Sequence, residues 1–268
     1  MNPAFQFDRA LVRAPGASVA QGLRAVDRGA PTREGVQREL EAYVAALEAA
    51  GVRVETLPAL EAFPDAVFVE DTALVFTEGA IVLRPGAPSR LGEARAIAPA
   101  LRRRFDRVLD LALGFVEGGD VLVTQRAVMI GLSARTDEQG ARALQALLEQ
   151  LGRKGRVVTT PPDVLHFKTD CSLLDDETIL STPGLAASGV FDGYRVLLTP
   201  DGEEAAANSL RVNDRVFMGD AFPRTAERLA AAGYEVVPLP NSQIALLDAG
   251  FSCLSLRWNS GGRGREAD

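Results

Sequence analysis

The sequence is poor in the residues on which metal and nucleotide chemistry rests. Among 268 residues there is one histidine, His166, and there are two cysteines, Cys171 and Cys253. A His-rich zinc site cannot be assembled from that set, nor can a cysteine-held cluster. Two cysteines in a chain this long do not read as a disulfide framework. Positive charge is also short: 29 Lys and Arg stand against 36 Asp and Glu, a formal net charge of -7. That balance argues against nucleic-acid binding, and no polybasic segment is present for an anionic membrane. No apolar run approaches the roughly 20 residues that span a bilayer. Met1-Asn2-Pro3-Ala4-Phe5 lacks a charged and then apolar signal segment, so a reducing cytoplasm is the expected compartment. No glycine-rich loop has dinucleotide or Walker spacing, and no G-x-S-x-G elbow occurs.

What is present is an ordinary globular composition, 47% hydrophobic and 24% charged. A chain of this size can bury a large core without staples. An acidic cleft would suit a small cationic substrate.

A repeat organises the chain. Apolar residues recur at helical spacing at Val36, Leu40, Tyr43, Val44 and Leu47, and the stripe closes at Gly51. Leu91, Ala94, Ala98 and Leu101 form a second stripe; Leu144, Leu147, Leu148 and Leu151 a third, closed by Gly152; Ala226, Leu229 and Ala230 another, closed by Gly233. Glycine just past the last periodic residue is a helix stop. Each helix leads into a β-rich run, at 52–57, 108–111, 156–160, 194–199 and 234–239. Hairpins precede four of them, pairing 73–76 with 80–83, 121–124 with 127–131, 172–174 with 178–181, and 210–212 with 215–218. In the fourth unit, 182–192, the helix is weak and shortened by Gly184, Ser188 and Gly189. The spacing is about 40–50 residues, in the range of propellers and solenoids.

Five third strands but only four hairpins leave one strand, 10–12, without a partner. Cys253 to Trp258 at the far end supplies it and closes the ring. The expected architecture is therefore α/β, a closed five-bladed ββαβ propeller with a pseudo-fivefold repeat, occupying residues 1–258 as one domain. An open α/β sheet of irregular order is the alternative. Residues 15–34, rich in glycine and without periodicity, read as a lid or as plain surface. Residues 259–268 read as a disordered tail.

Carboxylates fall at strand ends. FPDAVFVED carries Asp65, Glu70 and Asp71; FVEGGD carries Glu117 and Asp120; His166 lies at the matching place in HFKTD, and Cys253 in FSCLSLRW. In a closed repeat, matching positions converge at one end of the axis, so Glu117, His166 and Cys253 can share a pocket. Each also has an ordinary reading. A lone histidine is more often a hydrogen-bonded surface residue, a cysteine before a strand is usually a small buried hydrophobe, and acids in turns are usually solvated. Cys171 fits the buried reading. Gly118-Gly119 fits a tight turn.

The ordered set FPDAVFVED, FVEGGDVL, GLSART, HFKT and SCLSLRW resembles the dimethylarginine dimethylaminohydrolases of the guanidine-modifying, pentein-type superfamily, from about Arg9 to Trp258. The resemblance implies a five-bladed ββαβ propeller and hydrolysis of a methylated arginine to citrulline and methylamine or dimethylamine, with neither metal nor other cofactor. It implies Cys253 as nucleophile and His166 as general acid and then base. Glu117 would orient His166 and contact the guanidine, and Asp71 would pair with the guanidinium nitrogens beside Glu70. It places Arg90 and Arg135 on the substrate α-carboxylate. Asp65 is placed on the α-ammonium, with the carbonyls near Leu23 and Leu247, and Leu23 on the lid. The implied partner is a small cationic amino acid, with a homodimer left open through Ala-rich helix faces. Two other readings stay in play: an arginine deiminase-type hydrolase acting on arginine or another guanidino compound, and a non-catalytic binding propeller.

Overall fold

The computed structural model describes residues 3–161 and 164–261. Most of the tail expected at 259–268 lies outside the described residues.

The first unit runs from β1 (Arg9–Arg13) through α1 (Arg33–Ala49) to β2 (Arg53–Leu57). The second is β3 (Ala73–Phe76), β4 (Gly79–Val82), α2 (Leu91–Arg104) and β5 (Val108–Asp110). The third is β6 (Val121–Val123), β7 (Val128–Leu132), α3 (Glu138–Gln150) and β8 (Gly155–Thr159). The fourth is β9 (Cys171–Leu173), β10 (Thr178–Ser181), the single turn α4 (Pro183–Ala186) and β11 (Arg195–Leu198). The fifth is β12 (Leu210–Val212), β13 (Arg215–Gly219), α5 (Pro223–Ala231) and β14 (Glu235–Leu239), and the last strand is β15 (Leu256–Trp258).

Local chemistry sets these limits. Thr32 caps α1 by accepting the Gly35 N–H, and Asp137 caps α3 by accepting the Gly140 N–H at 2.6 Å. Side-chain oxygens at this position satisfy backbone donors that the first helical turn leaves unpaired. Gly51, Gly152 and Gly233 end their helices with φ of 84°, 72° and 93°, where a side chain would be strained. The two-residue turn between β12 and β13 holds Asn213 at φ 55°, a conformation its short amide tolerates. Its side chain also accepts the Phe7 N–H and donates to the carbonyls of Phe7 and Ala50, fastening the N-terminal segment.

The strands form five three-stranded sheets of one pattern. In four of them an antiparallel hairpin is followed, across a helix, by a parallel third strand. The fifth is completed from both ends of the sequence: β15 pairs antiparallel with β1, Arg9 facing Trp258 and Leu11 facing Leu256, while β2 adds in parallel on the other side. First strands of different sheets pack together, β3 on β15 and β9 on both β6 and β12. Among the described residues no helix is long and apolar enough to cross a membrane.

The closing strand is shorter than the sequence pattern implies. Its apolar alternation runs back to Cys253, but residues Phe251–Leu254 form a 3-10 turn and pairing begins at Leu256. Phe251 anchors that turn, stacking on Tyr43 of α1 at 5.7 Å, while the Tyr43 hydroxyl meets Ser255 Oγ at 2.6 Å.

Candidate active site

A 3-10 turn precedes the first strand of every sheet: Val69–Thr72, Gly118–Asp120, Phe167–Thr169, Glu204–Ala207 and Phe251–Leu254. The chemistry-bearing residues sit on or just before four of them. Asp71 and Glu70 lie in the first, Glu117 immediately precedes the second, His166 immediately precedes the third, and Cys253 lies in the last. The fourth carries none of the expected residues. The turn of Asp71 packs against those of Cys253 and Glu117, and the latter packs against the turn after His166.

His166 Nε2 is 2.7 Å from Glu117 Oε2. Glu117 is buried, and its Oε1 accepts the Ala87 N–H at 3.0 Å. Burial works against a charged imidazole here. The Glu117 hydrogen bond and the charges of Asp71, Asp120 and Glu117 outweigh it and raise the His166 pKa to about 9. At neutral pH the ring is an imidazolium.

The glycine pair of FVEGGD is required by close approach. Gly118 and Gly119 form the 3-10 turn Gly118–Asp120, as the tight-turn reading expects, and do so without positive φ. A Cβ on Gly118 would lie 2.0 Å from the Glu70 carbonyl oxygen; one on Gly119 would lie 2.9 Å from His166 Cγ and 3.0 Å from Asp71 Oδ1. The missing side chains let the imidazole and Asp71 meet over bare backbone. Asp71 Oδ1 accepts the Gly119 N–H at 2.8 Å and Oδ2 accepts Arg90 Nη1. Burial opposes that carboxylate, but Arg90, His166 and these hydrogen bonds hold it at about 2. Each carboxylate oxygen retains a further lone pair for a ligand N–H.

Cys253 is partly buried and free, and its N–H donates to the Gly250 carbonyl at 3.2 Å. Burial first, and then the charges of Glu70 and Asp71, push its thiol up to about 12. At neutral pH it is therefore a neutral thiol. Cys171, by contrast, is sealed in the interior with its S–H toward the Phe167 carbonyl at 3.2 Å.

The other expected residues fall in two groups. One group clusters around residues 22–25: Asp65 Oδ1 accepts the Leu23 N–H at 2.9 Å, and Leu247 lies against Gly22. Leu23 is exposed. The second group is already paired. Glu70 Oε1 takes Lys168 Nζ at 2.7 Å and Arg257 Nη2 at 3.0 Å, so the residue beside Asp71 faces protein cations. Arg90, expected on a substrate α-carboxylate, is buried with its donors on Asp71, Glu93 and the carbonyls of Phe68 and Asp65. A buried guanidinium needs such partners. Arg135 is the more open cation, its Nη1 3.7 Å from Glu117 Oε1.

Three contributors have no role in the sequence reading. Lys168 and Arg257 lie inside the quoted motifs HFKT and SCLSLRW, and offset Glu70 beside the thiol. Asp248 accepts the Ala25 N–H at 2.6 Å and fastens that segment; its φ of 55° in a non-glycine residue is a signal that only the backbone reveals. Asp71, Glu117 and His166 each present a ligand-capable atom within 4.8 Å of the others. With its pKa raised to about 9, His166 holds its proton at neutral pH and can serve as an acid. Buried carboxylates beside a thiol and an imidazolium can receive a flat organic cation and hand a proton to one of its nitrogens.

Comparison with known proteins gives the chain's relatives. Residues 59–209 match the family described as arginine deiminase. The chain is 37% identical over 254 residues to the N(G),N(G)-dimethylarginine dimethylaminohydrolase of Pseudomonas aeruginosa, covering 94% of this chain and 100% of that one. It is 34% identical to the Streptomyces coelicolor protein of the same name, covering 93% and 96%. A solved structure of the Pseudomonas protein, a mutant complexed with citrulline, superimposes with a TM-score of 0.91 at 37% identity over 94% of this chain and 100% of that one. The N-terminal domain of ArgZ, a cyanobacterial arginine dihydrolase, shares the fold with a TM-score of 0.83 at 19% identity, over 94% and 98%.

Proposed function

The chain belongs to the dimethylarginine dimethylaminohydrolase family, and from that premise we propose that it hydrolyses Nω-methylated arginines to citrulline and methylamine or dimethylamine. The observation that carries the reading is the His166–Glu117 pair at 2.7 Å, seated over Gly119 against Asp71, on turns packed together with that of Cys253.

The substrate guanidinium enters beside Asp71 and Glu117, which accept its N–H groups. Its positive charge offsets the carboxylates that keep the Cys253 thiol neutral, and the thiol loses its proton to solvent. The Cys253 thiolate attacks the guanidinium carbon, forming a C–S bond and a tetrahedral centre. The methylated nitrogen takes the proton of His166 and departs as an amine, because an amide anion is too basic to leave unaided. A thiouronium remains on Cys253. His166, now neutral, accepts a proton from water as the hydroxide adds to the same carbon. Collapse breaks the C–S bond, the departing Cys253 sulfur takes the proton of the added hydroxyl, and the ureido group of citrulline is released.

At the amino-acid end, Arg135 takes the α-carboxylate with Arg90 behind Asp71, and Asp65 takes the α-ammonium with the carbonyls near Leu23 and Leu247. Residues 15–34 act as the lid, with Leu23 covering the ligand and excluding water. The five sheets form the blades of a closed propeller, a single catalytic unit over residues 1–258; support comes from β15 completing the sheet of β1. A free nucleophilic thiol suits a reducing cytoplasm.

The test is a panel of arginine, monomethylarginine and both dimethylarginines, with citrulline and released amine measured together. Equal yields of citrulline and dimethylamine from asymmetric dimethylarginine, abolished in Cys253→Ser, are expected. The match to the arginine deiminase family favours one second reading, an enzyme acting on arginine itself. Ammonia from arginine as the preferred product would select it.

A further inference from the structure

Asp120 closes the segment FVEGGD, and the chemistry above gives it no part. It is completely buried. Its Oδ1 accepts the Phe167 N–H at 2.9 Å, in the residue next to His166. Its Oδ2 accepts two hydroxyls, Ser133 Oγ at 2.7 Å and Thr136 Oγ1 at 2.6 Å. Both hydroxyls have then spent their one proton, and their lone pairs face the backbone. Ser133 Oγ accepts the Arg135 N–H at 2.9 Å, and Thr136 Oγ1 accepts the Glu117 N–H at 3.2 Å. The Asp120 N–H itself donates to the Glu117 carbonyl at 3.0 Å.

Resting on the function proposed above, we infer that Asp120 is a positioning residue: one buried carboxylate fastens the three segments that carry Glu117, Arg135 and His166 and sets their mutual geometry. The pattern of three donors and no acceptors calls for a carboxylate. An amide there would set its NH2 either against the Phe167 N–H or toward the hydroxyls, whose own protons would then lose this acceptor. The carboxylate acts on His166 in a second way, through its charge. The acids facing that ring are Glu117, Asp71 and Asp120, with Arg90 beyond Asp71 and Arg135 beside Glu117. Asp120 therefore helps hold the proton that His166 donates.

The test uses Asp120→Asn and the double variant Ser133→Ala/Thr136→Val. Steady-state kinetics on asymmetric dimethylarginine, thermal unfolding and an NMR titration of His166 are measured for each. As this is the only histidine, its signal needs no assignment. In Asp120→Asn, kcat falls by about 10- to 100-fold, the scale of small misplacements of reacting groups. KM changes less, and the alkaline limb of kcat and the His166 titration both move to lower pH. A folded Asp120→Asn protein with wild-type kcat, or with an unmoved His166 titration, overturns the inference. If Asp120→Asn does not fold, the double variant decides: a reduced kcat supports the inference and a wild-type kcat overturns it. A wild-type protein that releases no citrulline defeats the proposed function instead. The His166 titrations of wild type and variants then still decide the role of Asp120, an unmoved titration overturning it.

Discussion

Replacing Glu117 by Gln tests how the proton on His166 is held. The amide keeps the shape and an oxygen for the Ala87 N–H, and removes the charge 2.7 Å from His166 Nε2. The rise from 6.5 to about 9 in the native protein corresponds to roughly 3 kcal/mol favouring the imidazolium. Glu117 supplies the hydrogen bond and part of the charge, while Asp71 and Asp120 supply the rest. The variant should therefore lose about 1–2 pH units of that rise, roughly 1.5–3 kcal/mol. His166 is a base whose folded pKa is raised. Its proton stabilises the native state fully below about pH 6.5, and that contribution is lost as pH rises through about 9. The stability advantage of wild type over Glu117→Gln should accordingly shrink across that window. At pH 8 an imidazole with pKa 9 is about 90% protonated and one with pKa 7 about 10%, so the supply of acid falls by about tenfold. The assay is a 15N-histidine NMR titration of both proteins, paired with kcat against pH. A wild-type His166 titrating at or below 6.5, or a variant titrating with wild type, would refute the reasoning.

Gly119→Ala would drive a methyl group to 2.9 Å from His166 Cγ, so kcat should fall by about 100-fold while the melting temperature drops little, read by kinetics beside calorimetry. Phe251→Ala empties the stack on Tyr43 beneath the nucleophile turn and should cost about 3–5 kcal/mol in urea unfolding. Asp65→Asn removes the charge offered to the α-ammonium and should raise KM for asymmetric dimethylarginine well beyond any change in kcat. Cys171→Ser keeps a donor for the Phe167 carbonyl and should retain citrulline formation at a rate close to wild type.

Much of the architecture could be read from the chain because its signals are local. Gly51, Gly152 and Gly233 stop helices through φ, and Asn213-Asp214 makes a turn through its own backbone preference. The pairing of β1 with β15 could be read by parity, since a repeat with one unpaired strand at each end has one economical way to close. Alternation misled at Cys253, where FSCLSLRW keeps a strand-like pattern through a 3-10 turn whose hydrophobic residues face Tyr43 and the core. Positions that carry the site could be placed, but not their partners. The pairing of Arg90 with Asp71 and Glu93 depends on how deeply the guanidinium is buried. The need for Gly118 and Gly119 lies in carbonyl and imidazole atoms brought from other segments, which leave no mark on their own φ. Asp120 reads as one more turn acid until its three donors, 13, 16 and 47 residues away, are seen converging on it.

The central claim is that the Cys253 sulfur becomes covalently joined to the substrate carbon. Acid-quenching the wild-type protein during turnover of asymmetric dimethylarginine, followed by peptide mass spectrometry, reads it directly. The account predicts an adduct on the Cys253 peptide with the mass of the substrate less dimethylamine, decaying as citrulline appears. Citrulline released at full rate with no adduct on that peptide, or by a Cys253→Ser protein, would contradict it.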